Sequence, residues 1–314
     1  MPVIKAFDLA FGRISAPDLD RMEAFLTDFG MIRAERTKRA LYMRGSDAAH
    51  HIHVTETGEP RFIGVALAAG SFEDLEKLAR LEGASKIEDI DEPGGGKRVR
   101  LCDPDGHRVE VVHGIETLEP IPVTRPAVNC GNDKTRRKGA LFRVLRGPSQ
   151  VKRFGHFVLM SRNFERVVAW YRETLGFLPS DEVYSGEKNH LVGSFNRLDR
   201  GGEFVDHHAF FCIRGEKEGL NHLSFEARDI DDIMIGHEHM AAKGYRHVWG
   251  IGRHLLGSQV FDYWADPWGR VFEHWADTDV LDASARPQLN EAGAALDGPW
   301  GEPIPASFMG HATP

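Results

Sequence analysis

The chain has 314 residues, 41% hydrophobic and 27% charged, a length and mixture that suit a soluble protein of two domains of about 150 residues, each able to bury its own core. Its formal charge of −8 (39 basic against 47 acidic residues) and the lack of a long basic run argue against a nucleic-acid surface. Three scattered cysteines, Cys102, Cys130 and Cys212, fit neither a disulfide frame nor a thiolate metal site. The start Met1-Pro2-Val3-Ile4-Lys5 has no apolar leader, and no stretch reaches the roughly 18 apolar residues of a membrane span, so a cytoplasmic protein without membrane contact is expected.

In chain order, Phe7 to Phe11 reads as a strand, and Asp18 to Phe29 as a helix with Leu19, Met22, Phe25, Leu26 and Phe29 at helical spacing. Pro17 marks its entry and Gly30 its end. Leu41-Tyr42-Met43 and His51 to Val54 are short strands, followed by a strand over Phe62 to Ala68 and a helix over Phe72 to Leu81. Gly94-Gly95-Gly96 precedes a strand, so it reads as a turn rather than a phosphate cradle. Val99 to Leu101 and Val109 to Val112 flank Asp103-Pro104-Asp105-Gly106 as a hairpin. Residues 119–152, with Pro120, Pro122, Pro126 and the basic group Arg136-Arg137-Lys138, read as a surface linker.

The second half repeats this order. Asp266-Pro267-Trp268-Gly269 with Glu273 answers Asp103-Pro104-Asp105-Gly106 with Glu110, and the helix end Thr174-Leu175-Gly176-Phe177 answers Asp28-Phe29-Gly30-Met31. Such internal similarity predicts an α+β architecture of two tandem modules, 1–118 and 153–276, each of paired β-α-β-β-β units forming a curved mixed sheet around a cavity. A polar tail, 277–314, follows, and its Trp300 and Phe308 suggest that it packs along the body, over the site or a neighbouring subunit.

The two copies differ chemically. His156 and His222 open strands of the second module and Glu273 lies in its last strand. Two imidazoles and a carboxylate on separate strands can hold one face of an octahedral ion and leave the others open, as in non-heme Fe(II) oxygenases. In the first module the alignment places Arg13 and Gly64 at the histidine positions, so 1–118 is expected to be metal-free. Pairing about Trp268 would oppose Tyr263 to Glu273 and set a phenol beside the ion; taken alone, Tyr263 reads rather as one more half-buried sheet aromatic. Alternation sends His207 and His208 to opposite faces, so at most one serves the site, and replacing His207 is expected to cost far less than replacing His208. His50, His51 and His53 lie in the half without ligands and read as surface or core polar groups.

On these residues the chain resembles the type I extradiol ring-cleaving dioxygenases of the vicinal oxygen chelate superfamily, over nearly its whole length. The resemblance implies His156, His222 and Glu273 as metal ligands, His208 as the acid-base histidine, and His254 and Tyr263 as groups that hydrogen-bond the metal-bound oxygens. It further implies an Fe(II) centre, with Mn(II) as the alternative, and O2-dependent cleavage of a substituted catechol or trihydroxybenzene by a homo-oligomeric enzyme of aromatic catabolism. Phe195 and Trp249 are candidate pocket residues. Trp249 stands where relatives acting on carboxylated catechols tend to carry arginine, which favours an apolar ring substituent. A glyoxalase-like metal isomerase and a non-catalytic binding protein of the same fold are the rival readings.

Overall fold

The computed structural model describes residues 1–124, 127–295 and 298–314. Pro126 of the linker lies outside the described residues.

The first module runs β1 (Asp8–Ala16), α1 (Leu19–Phe29), β2 (Ile32–Arg36), β3 (Ala40–Arg44) and β4 (His53–Thr57), then β5 (Arg61–Ala68), α2 (Phe72–Leu78), β6 (Glu88–Asp89), β7 (Lys97–Cys102) and β8 (Arg108–His113). The second runs β9 (Phe154–Ser161), α3 (Phe164–Leu175), β10 (Leu178–Tyr184), β11 (Leu191–Arg197), β12 (Val205–Asp206) and β13 (Phe210–Arg214), then β14 (Gly219–Glu226), α4 (Ile230–Ala242), β15 (Arg246–Arg253), β16 (Val260–Ala265) and β17 (Val271–Ala276). The tail adds β18 (Val280–Leu281), β19 (Gln288–Glu291), α5 (Ala292–Ala295) and α6 (Ala306–Met309). No helix among the described residues is long and apolar enough to cross a membrane.

Each unit folds as its local sequence dictates. Asp18 accepts hydrogen bonds from the backbone N–H groups of Asp20 and Arg21 and so caps α1, whose buried stripe is Leu19, Met22, Phe25, Leu26 and Phe29. Gly30 ends that helix at φ 109°, and Gly176 ends α3 at φ 79°, both in the left-handed region that disfavours any residue with a Cβ.

Both sheets are mixed and share one wiring. In the order β2-β3-β4-β1-β5-β8-β7-β6, the central β1 and β5 are antiparallel, and each pairs in parallel with the last strand of its own unit, β4 or β8. The second sheet, β15-β16-β17-β14-β9-β13-β11-β10-β19, repeats this with β9 and β14 at its centre. The modules are not independent bodies, because one core cluster includes Phe25, Phe29 and Val65 from the first and Phe225, Phe272 and Leu223 from the second. His274 lies in this seam, stacked on Phe29 at 3.6 Å and donating from Nε2 to the Phe29 carbonyl at 2.6 Å.

The register corrects one position of the repeat alignment. His156 opposes Ser224, and Ser224 pairs with Glu273; in the first module Phe11 opposes Ala66, and Ala66 pairs with Glu110. Phe11 therefore occupies the His156 position, while Arg13 falls two residues further, where the second module has Val158. Gly64 does match His222, each lying two residues before the partner of its glutamate. The offset is two residues, which keeps Phe11 and Arg13 on one face of the strand, so alternation alone cannot choose between them.

Candidate active site

The concave face of the second sheet encloses a cavity of about 330 Å³, a size typical of small-ligand sites. At its floor three side chains from three strands converge. His156 Nε2 lies 2.9 Å and His222 Nε2 3.3 Å from Glu273 Oε2, and the two Nε2 atoms are 3.4 Å apart. All three side chains are buried, at 6% exposure or less.

Strand geometry aims them. β14 lies between β9 and β17, so His156, His222 and Glu273 come from adjacent strands with their side chains on one face. A bulge between Leu220 and His222 sets Asn221 beside His222, whose Nδ1–H donates to Asn221 Oδ1 at 2.7 Å. That bond fixes the tautomer that leaves the Nε2 lone pair facing the other two groups. Ser224, two residues on and on the same face, donates its hydroxyl to Glu273 Oε2. Asn221 and Ser224 are supporting residues that the sequence reading missed. The signal was present in the spacing His222-Leu223-Ser224, which alternation puts on one side.

The charge balance of this floor is incomplete. Burial pushes His156 down, so its imidazole is neutral. Burial also opposes ionisation of Glu273, but the imidazoles of His156 and His222 beside it outweigh that and hold the carboxyl well below its usual range. A carboxylate of 0% exposure thus faces imidazoles, with no guanidinium or ammonium paired to it among the described residues, and its Oε1 is buried without a hydrogen-bond partner there, His254 Nε2 lying 3.7 Å away. The equivalent glutamate of the first module is neutralised by the protein itself. Arg13 Nε lies 2.8 Å and Arg98 Nη1 3.0 Å from the Glu110 carboxylate. Two lone-pair nitrogens and a carboxylate oxygen, short of positive charge, are the donor set of a divalent transition metal.

The remaining predicted residues lie around this floor. Tyr263 opposes Glu273 across β16 and β17, as the hairpin spacing predicted, and its hydroxyl is 2.9 Å from His254 Nε2. Burial and the neighbouring Glu273 push its phenol well up, so it remains a hydrogen-bond donor. Trp249 stacks parallel to Tyr263 at 5.4 Å and donates Nε1–H to the Glu302 carbonyl at 2.7 Å. Phe195 stacks on Phe211 at 3.8 Å and lies edge-on to His208 at 5.0 Å. His254, Tyr263, Trp249, Phe195 and His208 all line the cavity.

His207 and His208 depart from expectation. They follow β12 in a bend rather than a strand, so period-two alternation does not apply, and their rings touch instead of facing apart. The two Nδ1 atoms are 3.1 Å apart, and His207 Nε2 is 2.7 Å from Asp181 Oδ2. Only His208 of the pair lines the cavity, its ring 4.3 Å from that of His156. Burial, with His156 and His207 beside it, pushes His208 well down, so its ring is neutral. The sequence reading also missed Asp181, which lies 26 residues from His207 in the chain.

The tail closes the cavity. Ala292, Ala295, Ile304, Phe308 and Met309 line it, and Asn221 Nδ2 donates to the His311 carbonyl at 2.9 Å. Trp300 stays 43% exposed, but its carbonyl accepts from the Arg253 backbone at 3.1 Å. In the first module His50, His51 and His53 are buried core polar groups.

Comparison with known proteins gives concordant results. A family model for the Glyoxalase/Bleomycin resistance protein/Dioxygenase superfamily matches residues 9–111 and 153–274. A relative from Cupriavidus necator, Metapyrocatechase 2, is 30% identical over 305 residues, 94% of this chain and 89% of that protein. Homoprotocatechuate 2,3-dioxygenase from Brevibacterium fuscum superposes with a TM-score of 0.81 at 18% identity, over 99% of this chain and 94% of that one. An Mn(II)-bound glyoxalase from Novosphingobium aromaticivorans superposes at 0.78 and 24% identity, over 99% and 96%. At these identities the two structures speak for the fold alone.

Proposed function

The chain belongs to the Glyoxalase/Bleomycin resistance protein/Dioxygenase superfamily as an extradiol ring-cleavage dioxygenase, and from that premise we propose that it opens an apolar-substituted catechol beside its diol, using O2 and an Fe(II) ion held by His156, His222 and Glu273. One observation carries the reading. Among the described residues the buried Glu273 carboxylate is paired with imidazoles and no guanidinium or ammonium, where its first-module counterpart Glu110 has the guanidiniums of Arg13, Arg98 and Arg108 within 4 Å. Bound there, the divalent ion would supply a common centre for both diol oxygens and O2, turning a three-body encounter into an intramolecular one.

The protein groups then have definite tasks. Asp181 accepts from His207 Nε2–H, so His207 Nδ1 is left to accept from His208 Nδ1–H. His208 therefore presents a bare Nε2 towards the cavity it lines, placed to take a diol proton and return it to oxygen when the O–O bond breaks. Tyr263 and His254, linked at 2.9 Å, stand over the floor as donors to developing oxyanions. Val158, Val192, Ile213, Leu256 and Phe308 exclude water and offer apolar contact to a ring substituent. Trp249 lines the cavity at the position where, by the resemblance, relatives acting on carboxylated catechols tend to carry arginine, which supports alkyl or aryl catechols.

A glyoxalase-like isomerase drawing ligands from both modules is disfavoured, because Phe11, Gly64 and the guanidinium-bound Glu110 offer no free donor set in the first. Mn(II) in place of Fe(II) suits the same three ligands. Cytoplasmic location and self-association belong to the same proposal, and gel filtration checks the second.

The test is metal content. Chains reconstituted anaerobically with Fe(II) should hold one ion at this site, lost in His156→Ala, His222→Ala and Glu273→Ala and kept in Glu110→Ala. Tight iron in His156→Ala, or iron lost with Glu110, would overturn the assignment.

A further inference from the structure

We propose that the convex face of the second sheet carries another metal site, built by His237, His247 and Asp262 and suited to a borderline divalent cation such as Zn(II), Co(II) or Ni(II). Local structure explains how the three residues meet. Tyr263 faces the cavity, so its neighbour Asp262 faces the other way, under α4. Trp249 also faces the cavity, and unbroken alternation along β15 would put His247 there too. A bulge between these residues intervenes, pairing His247 with Trp264 and Trp249 with Tyr263, so that His247 joins Asp262 on the convex side. His237, on α4, completes the set from above.

The geometry has the marks of a built site. His247 Nε2 lies 2.8 Å from Asp262 Oδ1, and His237 Nδ1 lies 3.2 and 3.1 Å from its two oxygens. The ligand atoms of all three residues fall within 4.8 Å of one another. The Asp262 carboxylate, at 0% exposure, is oriented by Trp264 Nε1–H, which donates to Oδ2 at 2.6 Å, the kind of outer hydrogen bond that aims metal-binding carboxylates. The imidazoles retain 29% and 32% exposure, which gives an ion a path from solvent and room for water as further ligands. Two imidazole nitrogens with one carboxylate select first-row ions such as zinc over Mg(II) or Ca(II), which prefer all-oxygen sets.

A bound ion would clamp α4 to the β15–β16 pair, whose opposite face presents Trp249 and Tyr263 to the cavity. Its role is therefore structural support behind the reaction site, and it owes nothing to the identity of the metal at Glu273.

The experiment is equilibrium dialysis of the metal-free full chain against Zn(II), with metal per chain read by elemental mass spectrometry. Wild type should take up two equivalents. His237→Ala and His247→Ala, altered on different elements at half-exposed positions, should each take up one, with affinity for the second weakened at least about tenfold. His222→Ala should keep the equivalent that those variants lose. Co(II) supplies a second readout, since the visible absorption of the second equivalent should vanish in the same two variants. Saturation of wild type at one equivalent, or two equivalents retained in both histidine variants, overturns the proposal.

Discussion

Replacing His207 by phenylalanine tests whether a residue outside the cavity sets the chemistry inside it. His207 is buried and reaches His208 by the 3.1 Å contact between their Nδ1 atoms, while Asp181 holds its far side at 2.7 Å. Phenylalanine keeps a planar aromatic ring and removes both bonds, leaving a buried Nδ1–H on His208 without its partner. Such a loss costs about 1–3 kcal/mol. If it falls on the orientation needed in the transition state, kcat drops about 5- to 150-fold at about 1.36 kcal/mol per decade. His208→Phe, which removes the proton carrier itself, should lose about 10²- to 10⁴-fold. The assay is single-turnover oxygen consumption on metal-replete variants, with KM and metal content measured beside it. KM and metal should stay near wild type in His207→Phe, and the pH profile of kcat should shift, because the tautomer of His208 is no longer chosen by Asp181. His207→Phe turning over within twofold of wild type, with an unchanged pH profile, would refute the chain from Asp181 to His208.

Three further outcomes follow from other contacts. Ser224→Ala removes the hydroxyl that donates to Glu273 Oε2, and should weaken Fe(II) affinity about 10- to 100-fold in a chelator competition while the fold persists. Arg13→Met leaves the buried Glu110 with Arg98 at 3.0 Å and the more distant Arg108 at 3.8 Å, and should destabilise the chain by about 3–5 kcal/mol in urea unfolding; a loss under about 1 kcal/mol would contradict the ion-pair account. Asp28 joins α1 to the second module through His239 at 2.8 Å, Lys243 at 3.2 Å and the Tyr245 hydroxyl at 3.0 Å. Burial opposes ionisation of Asp28, but those hydrogen bonds prevail and hold its carboxyl below the usual range. A depressed folded pKa stabilises the protein above the unfolded value of about 3.9 and ceases to do so as pH falls through the folded one. Asp28→Asn should therefore lower Tm at pH 7 and differ little from wild type at the acid end; equal Tm values at pH 7 would count against this seam.

Much of the architecture could be read from residues alone because it rests on local rules. The stripe from Leu19 to Phe29, the glycines at 30 and 176, and the turn at Asp266-Pro267-Trp268-Gly269 each specify their own geometry, and the last also put Tyr263 opposite Glu273. What alternation could not reach are its interruptions. Phe11 and Arg13 share one face, so alternation could not choose between them, a bulge set Asn221 beside His222, and a bend after β12 brought His207 against His208. A one-residue slip reverses every side chain beyond it, and no residue type marks these places reliably. The partners Asp181 with His207, and His237 with Asp262, were hidden for a different reason. Each pair joins distant elements, 26 and 25 residues apart, and comes together only when the sheet closes.

The account stands or falls on one stoichiometry, the oxygen consumed per catechol by Fe(II)-reconstituted enzyme in a closed oxygen-electrode cell. An apolar-substituted catechol such as 3-methylcatechol should consume one O2 per ring, form a coloured ring-opened product and release no hydrogen peroxide, with all consumption lost in Glu273→Ala. No oxygen uptake by iron-replete wild type across alkyl and aryl catechols, or uptake that survives in Glu273→Ala, would contradict it.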